Sequence, residues 1–126
     1  MPVVKIKSLP LAHDTDLPRV LEGISKEFAE SVNINVDNVY ITWEYLSPGH
    51  YAHQGRVAGL QETHSHPVQV QLLTADMIDS GKVHQMFEAL AEAISKRTHV
   101  YRENIFIWHS SVASGKVFDR GQVDNW

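Results

Sequence analysis

The sequence contains the same succession of patterns twice, with the first strands matched at an offset of 65 (Pro2 on Pro67) and the helices and second strands at an offset of 66. Each copy begins with alternating apolar and polar side chains, as β-strands do. Apolar residues then recur every three or four positions, which is typical of an amphipathic helix, and a β-branched and aromatic stretch follows. These patterns occupy 1–9, 17–32 and 39–45 in the first half and 67–73, 83–94 and 105–109 in the second.

Each half therefore predicts a strand, a helix and a second strand, and the helical crossover requires the two strands to run parallel. With 126 residues, the chain is long enough for one core and too short for two. We expect one α+β domain over 1–126, made of halves at about 1–60 and 67–126. It would be a duplicated β-α-β unit with a four-stranded mixed sheet and two helices on one face. The other face would be bare, which predicts that a second subunit covers it.

The composition excludes several functional classes. The chain has no cysteine, which excludes disulfides, thiolate catalysis and cysteine-ligated zinc. Its net charge of −4 argues against a broad nucleic-acid surface. No apolar run approaches the ~20 residues that span a bilayer, and no signal peptide is recognisable, so we expect no membrane partner and a cytoplasmic location. No dinucleotide or phosphate-binding motif is present, so no cofactor is expected.

Three segments carry a resemblance to the tautomerase superfamily. Residues 1–6 (MPVVKI) open a strand with proline directly after methionine. Residues 49–55 (GHYAHQG) are similar to the glycine-bounded segment after the second strand of 4-oxalocrotonate tautomerase. Residues 104–109, with 115–118 after them, are similar to the last strand and tail of macrophage migration inhibitory factor. The resemblance implies the duplicated fold, a homotrimer, and an N-terminal proline that acts as base and acid in keto–enol tautomerisation.

That resemblance makes Pro2 the candidate catalytic residue. Its nitrogen becomes a free secondary amine only when Met1 is removed. An α-amino group ordinarily has a pKa of about 7.7–8.0, and burial in an apolar pocket lowers this pKa. A base that titrates near the ambient pH is the efficient one for moving a proton off carbon. The alternative is that Pro2 merely starts a strand at a position where the missing N–H does no harm.

The cations that family members use to bind a dicarboxylate are not reproduced. Tyr40 stands where 4-oxalocrotonate tautomerase has a second-strand arginine, and Asn35 stands where macrophage migration inhibitory factor has a lysine. A dicarboxylate substrate is therefore not expected. Arg56 is the first candidate for a replacement cation that binds substrate, and Lys116 and Arg120 are weaker ones. The alternative for Arg56 is a solvated charge or an ion pair between subunits.

Four aromatic residues are candidates for a substrate-binding wall that would lower the pKa of the amine: Tyr40, Tyr51, Phe106 and Trp108. Their alternative role is packing in the core or between subunits. Histidines 50, 53, 64 and 66 lie in or beside the long connection between the halves. His64 and His66 are spaced to share one side of an extended strand, which is able to bind a metal, but no acidic or cysteine ligand accompanies them at a fixed spacing. A histidine metal site is therefore a weaker alternative to polar loop residues or histidines bonded across a subunit interface.

The sequence thus predicts a homotrimeric, cofactor-independent tautomerase or isomerase that acts on a small enolisable carbonyl acid. Pro2 would be the base and then the acid. The missing cations motivate an alternative, in which the chain is a catalytically silent trimer of the same fold that serves as a binding or scaffold protein.

Overall fold

The computed structural model describes all 126 residues and contains two helices and eight strands. The predicted strand–helix–strand order is confirmed in both halves, and each half also carries a short hairpin after its second strand. The elements of the first half are β1 (Val3–Ser8), α1 (Leu17–Ser31), β2 (Tyr40–Tyr45), β3 (Ala52–His53) and β4 (Arg56–Val57). Those of the second half are β5 (Val68–Ala75), α2 (Ser80–Thr98), β6 (Ile105–Val112), β7 (Val117–Asp119) and β8 (Gln122–Asp124).

Both helices begin at an aspartate that caps them. The Asp16 carboxylate accepts a hydrogen bond from the Arg19 N–H at the start of α1. The Asp79 carboxylate accepts from the Lys82 N–H at the start of α2. The second helix is longer at both ends than its apolar periodicity predicts, because its first and last turns carry polar residues that leave no apolar pattern.

The main sheet has the strand order β2–β1–β5–β6. Within each half the two strands are parallel, so that β1 pairs with β2 and β5 with β6. The central strands β1 and β5 are antiparallel, with Val3 opposite Leu73 and Lys7 opposite Gln69. The predicted mixed four-stranded sheet is therefore confirmed. Because the central pair is antiparallel, the two halves begin at opposite ends of the sheet.

Alternate residues of the central strands form one face of the sheet, and both helices pack on that face. The pattern is the usual one for a half-buried strand against amphipathic helices. The fully or nearly fully buried members of this core include Val4, Ile6, Val70 and Leu72 from the sheet and Ile24, Phe28, Met86, Leu90 and Ile94 from the helices.

The opposite face of the sheet is uncovered in the single chain. It carries Tyr40, Phe106 and Trp108, whose exposed fractions are 43%, 59% and 39%. Lys5 and Lys7 of β1 are also exposed there. Large exposed aromatic residues on a sheet face are typical of a surface that another molecule covers.

Hydrogen bonds show that the internal repeat has an offset of 66 residues. Trp43 Nε1 donates to Ser8 Oγ at 3.0 Å, and 66 residues later Thr74 Oγ1 and His109 Nε2 lie 2.8 Å apart. Left-handed backbone conformations recur at the same offset, at Asn33 and again 66 residues later just after α2.

This offset corrects the first-strand alignment suggested by the sequence. Matching Pro2 with Pro67 implies an offset of 65, which would pair the buried Val4 and Ile6 with Gln69 and Gln71 on the opposite face of β5. In the structure Val4 and Ile6 correspond to Val70 and Leu72, which are buried on the same face. Pro67 is therefore the counterpart of Met1.

The hairpins follow the same repeat. Gly49 N donates to Ala58 O at 3.0 Å around the β3–β4 hairpin, and Gly115 N donates to Asp124 O at 2.9 Å around the β7–β8 hairpin. Each tip has two successive residues with positive φ, at 54–55 and 120–121. The long connection thus contains a small pair of strands of its own, and the tail repeats that motif at the other end of the sheet.

The contact between the helices includes a charged group whose contribution depends on pH. Glu27 on α1 accepts hydrogen bonds from Lys96 Nζ at 2.8 Å and from Arg97 Nη1 at 2.9 Å on α2. Burial raises the pKa of Glu27, but these two hydrogen bonds outweigh burial and bring it below its ordinary value of 4.5. A lowered carboxyl pKa stabilises the fold above that ordinary value, and the stabilisation is lost as the pH falls through the folded-state pKa.

We therefore expect Glu27→Gln to lower the free energy of unfolding at pH 7 by about 0.5–1 kcal/mol. The difference from the parent chain should shrink as the pH is lowered below about 4. Urea unfolding of the parent and the variant at pH 7 and at a pH below about 4 measures this difference. Glu30→Gln is the matched control, because Glu30 is exposed on the same helix and forms no ion pair. An equal effect of the two substitutions would contradict the assignment.

Candidate active site

Pro2 is buried directly before β1. Its carbonyl oxygen accepts a hydrogen bond from Tyr40 N at 3.1 Å, which places the start of β2 beside it. Met1 precedes it and is half-buried. The amino terminus therefore lies against structured residues of two strands and does not project into solvent.

A cleft of about 340 Å³ opens at this end of the sheet. Three elements form it, namely the starts of β1 and β2 and the strand β7. The lining is mostly apolar and aromatic, and Asp119 is its only charged side chain. The lining residues are Met1, Val3, Tyr40, Val117, Phe118 and Asp119.

Two side-chain contacts join the β7–β8 hairpin to the start of β2. Tyr40 Oη donates to the Asp119 carboxylate, 3.1 Å from Oδ1 and 3.2 Å from Oδ2. Arg120 Nη2 donates to Asn38 Oδ1 at 3.0 Å. The hydrogen bond to Asp119 raises the pKa of the Tyr40 hydroxyl, so this hydroxyl stays a donor across the physiological range. The hairpin is thus held beside the amino terminus.

The electrostatic surroundings of the amino terminus favour the neutral amine. Burial is the largest influence and lowers the pKa of the Met1 amine below its ordinary value of 8.0. The Asp119 carboxylate acts in the opposite direction, the Arg120 guanidinium lowers the pKa further, and Asp124 raises it. The net effect is a lowered pKa, because desolvation of the ammonium form outweighs the two carboxylates.

Of the predicted binding residues, Tyr40 alone lines the cleft with the amino terminus. Tyr51 and Arg56 lie at the other end of the sheet, where Tyr51 Oη donates to Pro67 O at 2.7 Å and the Arg56 carbonyl lies 2.8 Å from His66 Nε2. The six residues of β1 separate the two ends by roughly 20 Å, at about 3.3 Å per residue. Within one chain, Arg56 and Tyr51 therefore do not reach Pro2.

Phe106 and Trp108 occupy a third place, on the bare face of the edge strand β6. Their ring centroids are 5.8 Å apart. Phe106 pairs with Gln69, which in turn lies opposite Lys7 near the far end of β1. Neither aromatic side chain lines the cleft at Pro2, and both contribute to the uncovered surface.

His66 lies in a buried polar network within the long connection, and of the other histidines there only His53 packs on it. His66 is fully buried, its Nδ1 lies 3.2 Å from Ser65 Oγ, and the rings of Tyr51 and His53 pack on it at centroid distances of 5.2 and 5.8 Å. No group of three or more histidine or acidic side chains in the structure is arranged to hold a metal ion. These contacts are those of a structural network, since its donors and acceptors are paired.

Two larger clefts, of about 820 and 660 Å³, run along the helix layer. Polar and charged side chains line them, among them Arg19 and Lys26 in the first and Glu88 and Glu92 in the second. They occupy equivalent positions in the repeat and follow from how the two antiparallel helices pack. Neither includes Met1 or Val3, the residues on either side of Pro2, so their size does not make them the better candidate for amine chemistry.

Sequence reasoning missed Phe118 and Asp119 as site residues. Their signal was present, since 115–121 repeats 49–55 at the offset of 66 with glycine at both ends. That repeat would have predicted a second hairpin near the start of β1. Arg120 was a weaker candidate for the cation, and the structure brings it close to the amino terminus, whereas Lys116 does not line the cleft.

No protein-family model matches the chain, and no curated protein matches it in sequence. Solved structures do match it. Pt0534 inactivated by 2-oxo-3-pentynoate has a TM-score of 0.82 at 13% identity, covering 97% of this chain and 94% of that one. A symmetric trimer of wild-type fused 4-OT has a TM-score of 0.80 at 9% identity, with coverage of 97% and 94%.

A third match is malonate semialdehyde decarboxylase, solved in wild-type and inactivated forms and with its first residue, a proline, changed to alanine. Its TM-score is 0.71 at 13% identity, with coverage of 95% of this chain and 92% of that one. All of these are tautomerase-superfamily proteins. The chain has the tautomerase-superfamily fold. The resemblance predicted from the sequence is therefore confirmed at the level of the fold. Neither helix is long and apolar enough to cross a lipid bilayer.

We expect two neighbouring substitutions to move the pKa of the amino-terminal amine in opposite directions. Asp119→Asn removes the charge that most strongly raises this pKa and should lower it further, whereas Arg120→Gln removes a charge that lowers it and should raise it. The pH dependence of amine labelling by fluorodinitrobenzene, located by peptide mass, reports both shifts. Identical midpoints in the parent and both variants would show that the hairpin does not lie against the amino terminus.

Proposed function

We propose that the chain is a cofactor-independent tautomerase or isomerase that acts on a small enolisable carbonyl acid. The observation that carries the proposal is the apolar cleft at the start of β1, where burial lowers the pKa of the Met1 amine. Removal of Met1 would leave the secondary amine of Pro2 in this cleft. A neutral amine with a pKa near the ambient pH is suited to accept a proton from carbon and return it.

In the proposed reaction, Pro2 removes a proton from the carbon beside a carbonyl, and the resulting ammonium delivers a proton at the other end of the enol system. The developing enolate oxygen needs a hydrogen-bond donor or a cation. The candidates for this donor or cation in the same chain are the Tyr40 hydroxyl, which donates to Asp119 in the structure, and the Arg120 guanidinium, whose charge acts on the amino terminus. Arg56 and Tyr51 remain candidates only as residues supplied by a second copy.

The similar solved structures support an N-terminal proline and small oxo compounds as substrates. One of those proteins is inactivated by 2-oxo-3-pentynoate, and another has been studied with its first residue changed from proline to alanine. This chain has Pro2 at the head of the equivalent strand, between Met1 and Val3, which both line a cleft of about 340 Å³. The fold alone does not choose among isomerase, hydratase and decarboxylase chemistry.

We expect Pro2→Ala to lower kcat/KM for enol–keto exchange of phenylenolpyruvate by about a hundredfold or more, because the secondary amine is replaced. The loss of the enol absorbance measures the rate. Pro67→Ala is the matched control, since Pro67 begins the equivalent strand but its nitrogen is an amide at the other end of the sheet. Full activity of Pro2→Ala would contradict the mechanism.

The state of the amino terminus provides a second check on the same proposal. Protein expressed without a tag should have an intact mass that lacks Met1. Protein that retains Met1 should be inactive, because its Pro2 nitrogen is an amide. Equal activity of the two forms would exclude Pro2 as the base.

We also propose that the chain assembles as a homotrimer through the bare face of its sheet. Phe106 and Trp108 are large and exposed on that face, and a similar fused 4-OT is a symmetric trimer. Burying apolar area of this kind is the main source of stability for such interfaces.

Replacing both Phe106 and Trp108 with lysine should therefore convert the assembly to chains of 14.2 kDa, because two buried charges would replace two apolar contacts. Sedimentation equilibrium measures the mass. Tyr101→Lys is the control, since Tyr101 is similarly exposed but lies outside the bare face. An unchanged mass for the double variant would place the interface elsewhere.

One observation favours the alternative of a catalytically silent binding or scaffold protein. The only charged side chain that lines the cleft is a carboxylate, and no cation lines it. Under this alternative the trimer would persist while Met1-free protein showed no exchange activity, and Pro2→Ala would change neither property.

A further inference from the structure

Asp119 occupies an unusual place for a charged side chain. It lines an otherwise apolar cleft of about 340 Å³ beside the amino terminus. Both of its carboxylate oxygens lie within hydrogen-bond distance of Tyr40 Oη, at 3.1 and 3.2 Å. One donor shared between two oxygens holds the carboxylate in place without neutralising its charge.

The cation that follows Asp119 in the sequence, Arg120, lies outside the lining of the cleft. Arg120 follows Asp119 at the tip of the hairpin, with positive φ, and its guanidinium donates to Asn38 Oδ1 at 3.0 Å. Arg120 is exposed and does not line the cleft, although its charge acts on the amino terminus. The cleft therefore has a negative side chain in its lining, and the positive charge that acts on the amino terminus lies outside that lining.

We propose that Asp119 is a specificity-determining residue that excludes a second negative charge, so that the cleft accepts a carbonyl compound with one carboxylate and an apolar substituent. This inference rests on the proposed function for its chemistry, but it concerns binding. A monoacid can direct its carboxylate outward to Arg120 and its apolar part toward Val3, Val117 and Phe118. A second carboxylate on the part of the ligand that enters this cleft would share it with Asp119.

Two like charges that meet in a partly desolvated cleft repel each other strongly. The repulsion acts against diacids, whereas the amide analogue of the same shape escapes it. Specificity of this kind comes from an unfavourable contact with the wrong ligand as much as from favourable ones with the right ligand.

The test uses two ligands that differ in one charge, 4-carboxyphenylpyruvate and its 4-carboxamide. Calorimetry should give the parent chain, freed of Met1, at least about tenfold tighter binding of the carboxamide. In Asp119→Asn the two dissociation constants should approach each other within about threefold. Asp124→Asn is the control, because Asp124 lies in the same hairpin but outside the cleft lining, and it should keep the discrimination.

Repeating the titrations in Pro2→Ala separates this inference from the proposed function. That variant lacks the proposed base but keeps Asp119, so it should still prefer the carboxamide even if no form of the protein shows exchange activity. Equal affinity of the parent chain for the two ligands, binding of neither, or discrimination that survives in Asp119→Asn would each overturn the inference. Circular dichroism of each variant establishes that it is folded.

Discussion

The antiparallel pairing of β1 with β5 is the contact on which the rest of the structure depends. Each β-α-β half has a helix on one face of only two strands, and a unit of about 60 residues buries a smaller share of its surface than a chain of twice that length. Joining the halves along their first strands makes one sheet of four strands and brings both helices over a shared core. The same pairing sends the beginnings of the two halves to opposite ends of the sheet.

The internal repeat relates the two ends of the sheet to each other, so the differences between these ends show what is particular to each. At one end the chain begins, and the cleft around Met1 is open and bounded by Asp119. At the other end the equivalent position belongs to Pro67, whose nitrogen is an amide. There Tyr51 donates to the Pro67 carbonyl, and the fully buried His66 fills the space that precedes the strand. One fold thus provides one end suited to amine chemistry and one end closed by packing.

The fold was predictable from the sequence because its signals are local and occur twice. Strand alternation and helical periodicity identify the main elements, and a helical crossover requires parallel strands within each half. The offset of the repeat was harder to predict from the sequence. Matching Pro2 with Pro67 gives 65 and the helices and second strands give 66, and the burial of Val4, Ile6 and their counterparts requires 66 for the first strands as well, because a shift of one residue exchanges the two faces of a strand.

The sequence by itself determined the duplicated unit, the bare sheet face and the place of Pro2 at the head of a strand. Only the tertiary structure decided which side chains line the cleft beside that residue. It brought Tyr40 and Asp119 there from 38 and 117 residues farther along the chain, and it set Arg56 at the opposite end. The reason is physical: strand and helix patterns depend on neighbours in sequence, whereas a site at the end of a sheet depends on strand direction and on where each hairpin folds back.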